Sequence, residues 1–220
     1  MSNVSLITIT DPRSPASEAY RTLRTNLEFF SLDAPIRTLL VTSPGAEEGK
    51  STVLANLAVT LAQVGKQVIL ADCDLRRPSQ HALFGLDNTT GLTTMMLDEG
   101  AQSELPLRQS GVDGLRLLPA GPTPPNPAEL LGSRRMKEAL TALLEQADLV
   151  LLDAPPVLAV TDALVLAVQT DGVLLVVKAG ATRRDHVQQA RERLERVNAR
   201  VVGAVLNNAP TDERLQGYYA

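Results

Sequence analysis

The sequence predicts one α/β domain, a doubly wound, mostly parallel sheet flanked by helices. Three observations carry that prediction. Short β-rich runs alternate with longer helical stretches along most of the chain, the pattern of βαβ units. Several of the runs are continuously apolar, as strands covered on both faces must be. One run leads through the turn "SPGAEEGKST" straight into a helix, the setting a phosphate-binding loop requires. With 220 residues the chain fills one such domain and is short for two.

The N-terminal stretch "MSNVSLITITDPRSP" alternates polar and apolar residues and reads as a short strand. Ser14-Pro15 then opens a helix whose Tyr20, Leu23, Leu27 and Phe30 form one apolar stripe, with Glu18, Arg21 and Arg24 on the other side. The stripe is expected to pack on the core and the charged side to face water or a partner. Strands are expected at 37–43, 67–72, 114–120, 148–154, 172–178 and 200–207. Helices are expected at 50–64, 78–84, 92–98, 127–147, 162–168 and 183–197. Asn126-Pro127-Ala128-Glu129 and Thr182…Asp185 look like capping boxes. The expected division is an N-terminal arm (1–36), a core (37–210) and a tail (211–220).

Composition excludes several function classes. The 21 Lys+Arg against 25 Asp+Glu leave a net charge of −4, so a nucleic-acid partner, which needs a basic face, is not expected. The pairs Arg76-Arg77, Arg134-Arg135 and Arg183-Arg184 read as solvated surface. One cysteine, Cys73, rules out an internal disulfide and fits a reducing compartment. No apolar run approaches the roughly 18–20 residues of a membrane span, and the start lacks the build of a signal peptide. The expected location is cytoplasmic, with no direct membrane span.

The loop departs from G-x-x-x-x-G-K-[ST]: Pro44 stands where the first glycine belongs, and Gly45 follows one step late. Strand and helix still frame it, and a helix N-terminus with free N–H groups attracts phosphate. Gly45, Ala46, Glu47, Glu48, Gly49, Lys50, Ser51 and Thr52 are therefore the nucleotide-binding candidates. Lys50 would reach the β and γ phosphates and Ser51 would hold Mg²⁺. Glu47 sits where φ > 0 would favour glycine, and both glutamate side chains are expected to point to solvent. Asp72 and Asp74, two apart at a strand's end, are expected to share a face. Asp153 ends "LVLLD". Carboxylates beside a triphosphate bind Mg²⁺ or accept a proton. Lys50, Asp72, Asp74 and Asp153 are the catalytic candidates, with Asp72 as base, and Ser51, Asp74 and Asp153 the metal candidates. Three strand ends thus converge on one Mg-nucleotide, ATP or GTP.

The segments "TSPGAEEGKST…ANLA", "VILADCDLRRP", "LVLLDAPPVLAVTDALVLA" and "PAGPTPPNPAELL" together resemble the bacterial tyrosine kinases of capsule and exopolysaccharide biosynthesis, a P-loop NTPase family. The resemblance runs from about Glu18 to Asn207. It places Lys50 and Ser51 in a Walker A motif, Asp72 and Asp74 in Walker A′ and Asp153 in Walker B. It makes ATP and Mg²⁺ the expected cofactors, and places Asn207 where related ATPases hold adenine. "EAYRTLR" matches the family's E-x-x-R-x-x-R element at Glu18, Arg21 and Arg24, which implies a homo-oligomeric ring. Family members phosphorylate C-terminal tyrosines of neighbouring subunits, which makes Tyr218 and Tyr219 the expected phosphoacceptors. Family tails usually hold a longer cluster. A membrane-anchored activator with a cytoplasmic segment, recruitment to the inner membrane face and other protein tyrosine substrates are also implied.

Two rival readings share the fold. A partitioning or division-site switch ATPase carries a lysine five residues before the loop lysine, where this chain has Gly45. Its membrane-binding members end in a basic amphipathic helix, unlike "TDERLQGYYA". A nucleotide-binding assembly module without kinase activity would have no need of all three aspartates.

Overall fold

The computed structural model describes residues 6–31, 35–97 and 105–210. Its strands are β1 (Thr38–Thr42), β2 (Val68–Asp72), β3 (Arg108–Gln109), β4 (Leu115–Leu118), β5 (Leu149–Asp153), β6 (Gly172–Lys178) and β7 (Val201–Asn207). They form a seven-stranded sheet in the order β3-β4-β2-β5-β1-β6-β7. Every pairing is parallel except β3 with β4. The helices are α1 (Ile7–Thr10), α2 (Pro15–Phe30), α3 (Lys50–Ala62), α4 (Gln80–Leu83), α5 (Leu92–Leu97), α6 (Pro127–Leu131), α7 (Arg134–Leu144), α8 (Asp162–Ala167) and α9 (Arg184–Arg196).

Helices cover both sheet faces, which is why the strands could be apolar throughout. On one face Leu54, Leu57 and Leu61 of α3 pack with Leu39, Val41, Leu70 and Leu151. On the other, Leu131, Met136, Leu143, Leu166 and Leu194 pack with Leu40, Ile69, Val150 and Leu152. Adjacent residues such as Leu39 and Leu40 serve opposite faces, as strand geometry demands. Each fully buried leucine contributes about 1.5–3 kcal/mol, so the central strands form a stiff base for the loops at their carboxyl ends.

Six of the seven strands lie where the sequence placed them. β3 was not expected, because two polar residues, Arg108 and Gln109, give no periodicity; pairing with β4 alone defines it. The expected N-terminal strand is instead the single helical turn α1. Thr8 anchors that turn, its N–H and hydroxyl both donating to Asn56 Oδ1 at 3.1 and 2.9 Å. The expected helix at 127–147 is two helices, because Gly132 ends α6 and Ser133 caps α7 by accepting from the Met136 N–H. Neither capping box forms. Asn126 bonds the Glu129 side chain, Thr182 Oγ1 accepts from the Lys178 N–H, and Asp185 pairs with Arg183.

The α2 stripe packs as expected through Tyr20, Leu23 and Leu27, but Phe30 is 40% exposed. Its ring is instead covered by the Arg200 guanidinium, 4.8 Å from the centroid. Among the described residues no helix is long and apolar enough to cross a membrane.

Candidate active site

The loop between β1 and α3 is built from backbone constraints and buried side chains. Gly49 has φ +85°, which favours glycine, and a Cβ there would lie 2.2 Å from Asn207 Nδ2 and displace that side chain. Glu47, exposed, adopts φ +60°, the left-handed conformation that a glycine would take without strain. Ala46 and Thr52 are also exposed beside it. Ser43 Oγ donates to Gly45 O at 2.6 Å.

Glu48 corrects the expectation that both acidic side chains face solvent. It is 7% exposed, and its carboxylate accepts from the Gly45 N–H at 2.8 Å and the Lys178 N–H at 3.2 Å. A charged acceptor bonded to two amides is a strong tether. Here it ties the loop to the end of β6. Asn207, at the end of β7, donates through Nδ2 to the Glu48 carbonyl at 2.9 Å. In this structure its carboxamide braces the loop.

Asp72 and Asp153 end adjacent strands in direct register, and both are fully buried. Lys50 Nζ lies 3.0 Å from Asp74 Oδ2, 3.0 Å from Asp153 Oδ1 and 3.1 Å from Ser51 Oγ. Burial alone would make Lys50 easier to deprotonate, but the Asp153 and Asp74 carboxylates outweigh it and hold the ammonium more firmly than usual. β2 ends at Asp72, and Cys73 packs into the core with Ile69 and Ala71. Asp72 accepts from the N–H groups of Asp74, Ser79 and Gln80 at 3.2, 2.8 and 2.9 Å. Asp74 accepts from the Arg77 N–H. Burial first, and then the Asp153 charge, push the Asp72 carboxyl up to about 7. Burial raises the Cys73 thiol well above its ordinary value.

Comparison with known proteins decides the family. The ParA profile, described as NUBPL iron-transfer P-loop NTPase, matches residues 36–212. The tyrosine-protein kinase YwqD of Bacillus subtilis is 43% identical over 98% of this chain and 91% of its own length. The chain belongs to the bacterial tyrosine-protein kinases. The kinase domain of Escherichia coli ETK superposes with a TM-score of 0.90 at 33% identity, covering 97% of this chain and 83% of that domain. The tyrosine-protein kinase wzc of Salmonella typhi is 34% identical over 97% of this chain, which spans 30% of its length. A septum site-determining MinD from Pyrococcus horikoshii, at 22% identity and TM-score 0.66 over 81% of this chain and 72% of that one, shows the shared fold alone. Tyrosine kinase relatives, not the division-site class, are thus the near ones.

In this kinase three oxygen donors, from Ser51, Asp74 and Asp153, already converge on one cation, the Lys50 ammonium. An all-oxygen set of this kind suits a hard divalent cation, so the residues fit Mg²⁺. The loop amides and a glycine with no room for a Cβ fit a nucleotide, the ligand of the P-loop NTPase fold.

Two features escaped the sequence reading. Arg76, taken as solvated, makes a bidentate pair with Asp162 at 2.9 and 3.1 Å, and Asp162 is fully buried. Gln80, also fully buried, donates through Nε2 to Asp153 Oδ2 at 2.8 Å and to Ser51 O at 3.1 Å. "LRRP" was a visible signal for the first. Nothing local marks the second.

The charged side of α2 is also less open than expected. Glu18 and Arg21 pair at 2.6 Å, whereas Arg24 turns inward and donates to Thr60 O of α3 at 3.1 Å. Tyr218 and Tyr219 lie outside the described residues.

Proposed function

We propose that this kinase transfers the γ-phosphate of ATP, with Mg²⁺, to tyrosine hydroxyls, first Tyr218 and Tyr219 of neighbouring copies. The observation that carries this reading is Lys50 held between Asp74 and Asp153 at 3.0 Å from each, where one cation is already bound by the residues a second would need.

Amides of the Gly45–Thr52 loop hold the phosphates, and Lys50 leaves its carboxylates for the β and γ phosphates. Ser51, Asp74 and Asp153 hold Mg²⁺, whose charge offsets that of the phosphates. A tyrosine hydroxyl, ordinarily near pKa ~10, needs a base, and Asp72 at about 7 is matched to neutral pH. The hydroxyl oxygen bonds to the γ-phosphorus, the bond to the β-phosphate oxygen breaks, ADP departs and the proton passes to Asp72. Because Asp72 is fully buried, the segment 74–80 must shift before a hydroxyl reaches it. Asn207 contributes to adenine binding once its tie to Glu48 is exchanged. Glu18, Arg21 and Arg24 support a homo-oligomeric ring. The kinase works in the cytoplasm, brought to the inner membrane face by a membrane-anchored activator, and acts on further protein tyrosines in polysaccharide synthesis.

Purified protein incubated with Mg-ATP should carry phosphate on Tyr218 or Tyr219 by mass spectrometry. The signal should vanish in Lys50→Met and in the double variant Tyr218→Phe/Tyr219→Phe. ATP turnover that leaves no phosphate on the protein, alone or with an activator segment, would overturn the reading in favour of a switch ATPase.

A further inference from the structure

Gln80 opens α4 immediately after the turn that wraps Asp72, and none of its surface is exposed. Its main-chain N–H donates to Asp72 Oδ2 at 2.9 Å. Its Nε2 donates to two acceptors, Asp153 Oδ2 and the Ser51 carbonyl. One residue therefore joins all three catalytic segments: the start of α3, the end of β2 and the end of β5.

The other end of the carboxamide is unusual. Gln80 Oε1 is buried and has no hydrogen-bond partner. Turning the amide over would not help, because Oε1 would then face the Asp153 oxygen and the Ser51 carbonyl, both acceptors. The orientation is thus set by its neighbours, and the carbonyl oxygen is left over. A buried acceptor without a donor costs free energy, so its retention beside the acid cluster needs a reason.

The surrounding oxygens supply one. When Lys50 leaves, Asp74 Oδ2 and Asp153 Oδ1 lose their partner, while Asp153 Oδ2 stays fixed by Gln80. A hard cation such as Mg²⁺ keeps several waters when it binds. Those waters donate hydrogen bonds, and their partners next to the ligands govern affinity.

We propose that Gln80 is a positioning residue for the cation that accompanies the nucleotide. Its Nε2 fixes the Asp153 carboxylate, and its free Oε1 accepts a hydrogen bond from a water of the cation's hydration shell. This rests on the assignment of Ser51, Asp74 and Asp153 to Mg²⁺ made above. The carbonyl has no protein partner in this structure; a hydrated cation would give it one.

The test is ADP affinity by calorimetry, with Mg²⁺ and with EDTA, in the wild type, Gln80→Met and Gln80→Leu, each checked for an intact melting transition. In Gln80→Met the gain in affinity that Mg²⁺ confers should fall about tenfold, with metal-free ADP affinity within about twofold of wild type. Gln80→Leu, which removes the same donor and acceptor with a different shape, should lose the gain alike. A Gln80→Met gain within about twofold of wild type overturns the proposal. So does an equal loss in EDTA and Mg²⁺, the mark of a merely structural residue. Should Gln80→Met not fold, the Gln80→Leu arm decides alone. No Mg²⁺ gain in the wild type would instead sink the cation assignment itself.

Discussion

At the scale of single residues, two side chains hold unfavourable states that can be measured. Glu47 sits at φ +60°, which costs a non-glycine residue about 1–2 kcal/mol. Glu47→Gly recovers part of that and gives back some in unfolded-chain entropy, so urea denaturation should show a net gain of roughly 0.5–1 kcal/mol. Asp72 is the second. Its carboxyl is pushed up to about 7 in the folded protein, against an ordinary 3.8. The folded state therefore holds this proton more tightly than the unfolded chain. The resulting stability is complete below about pH 4 and is lost as pH rises through 7. Without nucleotide, wild-type stability should decline between about pH 4 and 7, and Asp72→Asn should flatten that decline. An equal slope in both proteins would show that other groups govern it.

At the scale of elements, the loop after β1 is held in shape by its ends. Glu48 links the Gly45 N–H to the Lys178 N–H, and replacing it with alanine leaves the Gly45 N–H to find water, while the Lys178 N–H keeps Thr182 Oγ1. Glu48→Ala should cost about 1–3 kcal/mol and weaken ADP binding several-fold, measurable by denaturation and calorimetry. Wild-type ADP affinity in that variant would show that the loop keeps its shape without the tether. The same residue marks the limit of sequence reading. Lys50, Ser51 and the three aspartates were legible, because strand ends and a helix start announce them within a few positions. Glu48 and Gln80 were not, because their partners lie far away: Lys178 is 130 positions from Glu48, and Asp153 is 73 from Gln80. The strands β1, β2 and β4 to β7 showed themselves as apolar runs, whereas the pair Arg108-Gln109 has no pattern of its own. The break between α6 and α7 was overlooked because leucines continue on both sides of Gly132.

At the scale of the molecule, the strand order puts β2, β5 and β1 side by side. Segments more than 100 positions apart thereby meet at one end of the sheet, as the 103-residue separation of Lys50 and Asp153 shows. Transfer between copies is then a question of which molecule lends the site and which the tail. Mixing Lys50→Met, which keeps its tyrosines, with Tyr218→Phe/Tyr219→Phe, which keeps its site, should place phosphate on the Lys50→Met copies. A mixture as silent as its separate components would restrict transfer to within one chain.

The hydrogen bond from Asn207 to the Glu48 carbonyl spans 159 positions. A chain growing on the ribosome makes the loop 159 positions before its brace. Until β7 emerges and adds to the sheet edge, Glu48 has only part of its support, and folding must wait on contacts that are far apart in sequence. The loop therefore gains its full set of contacts only after β7 has joined the sheet.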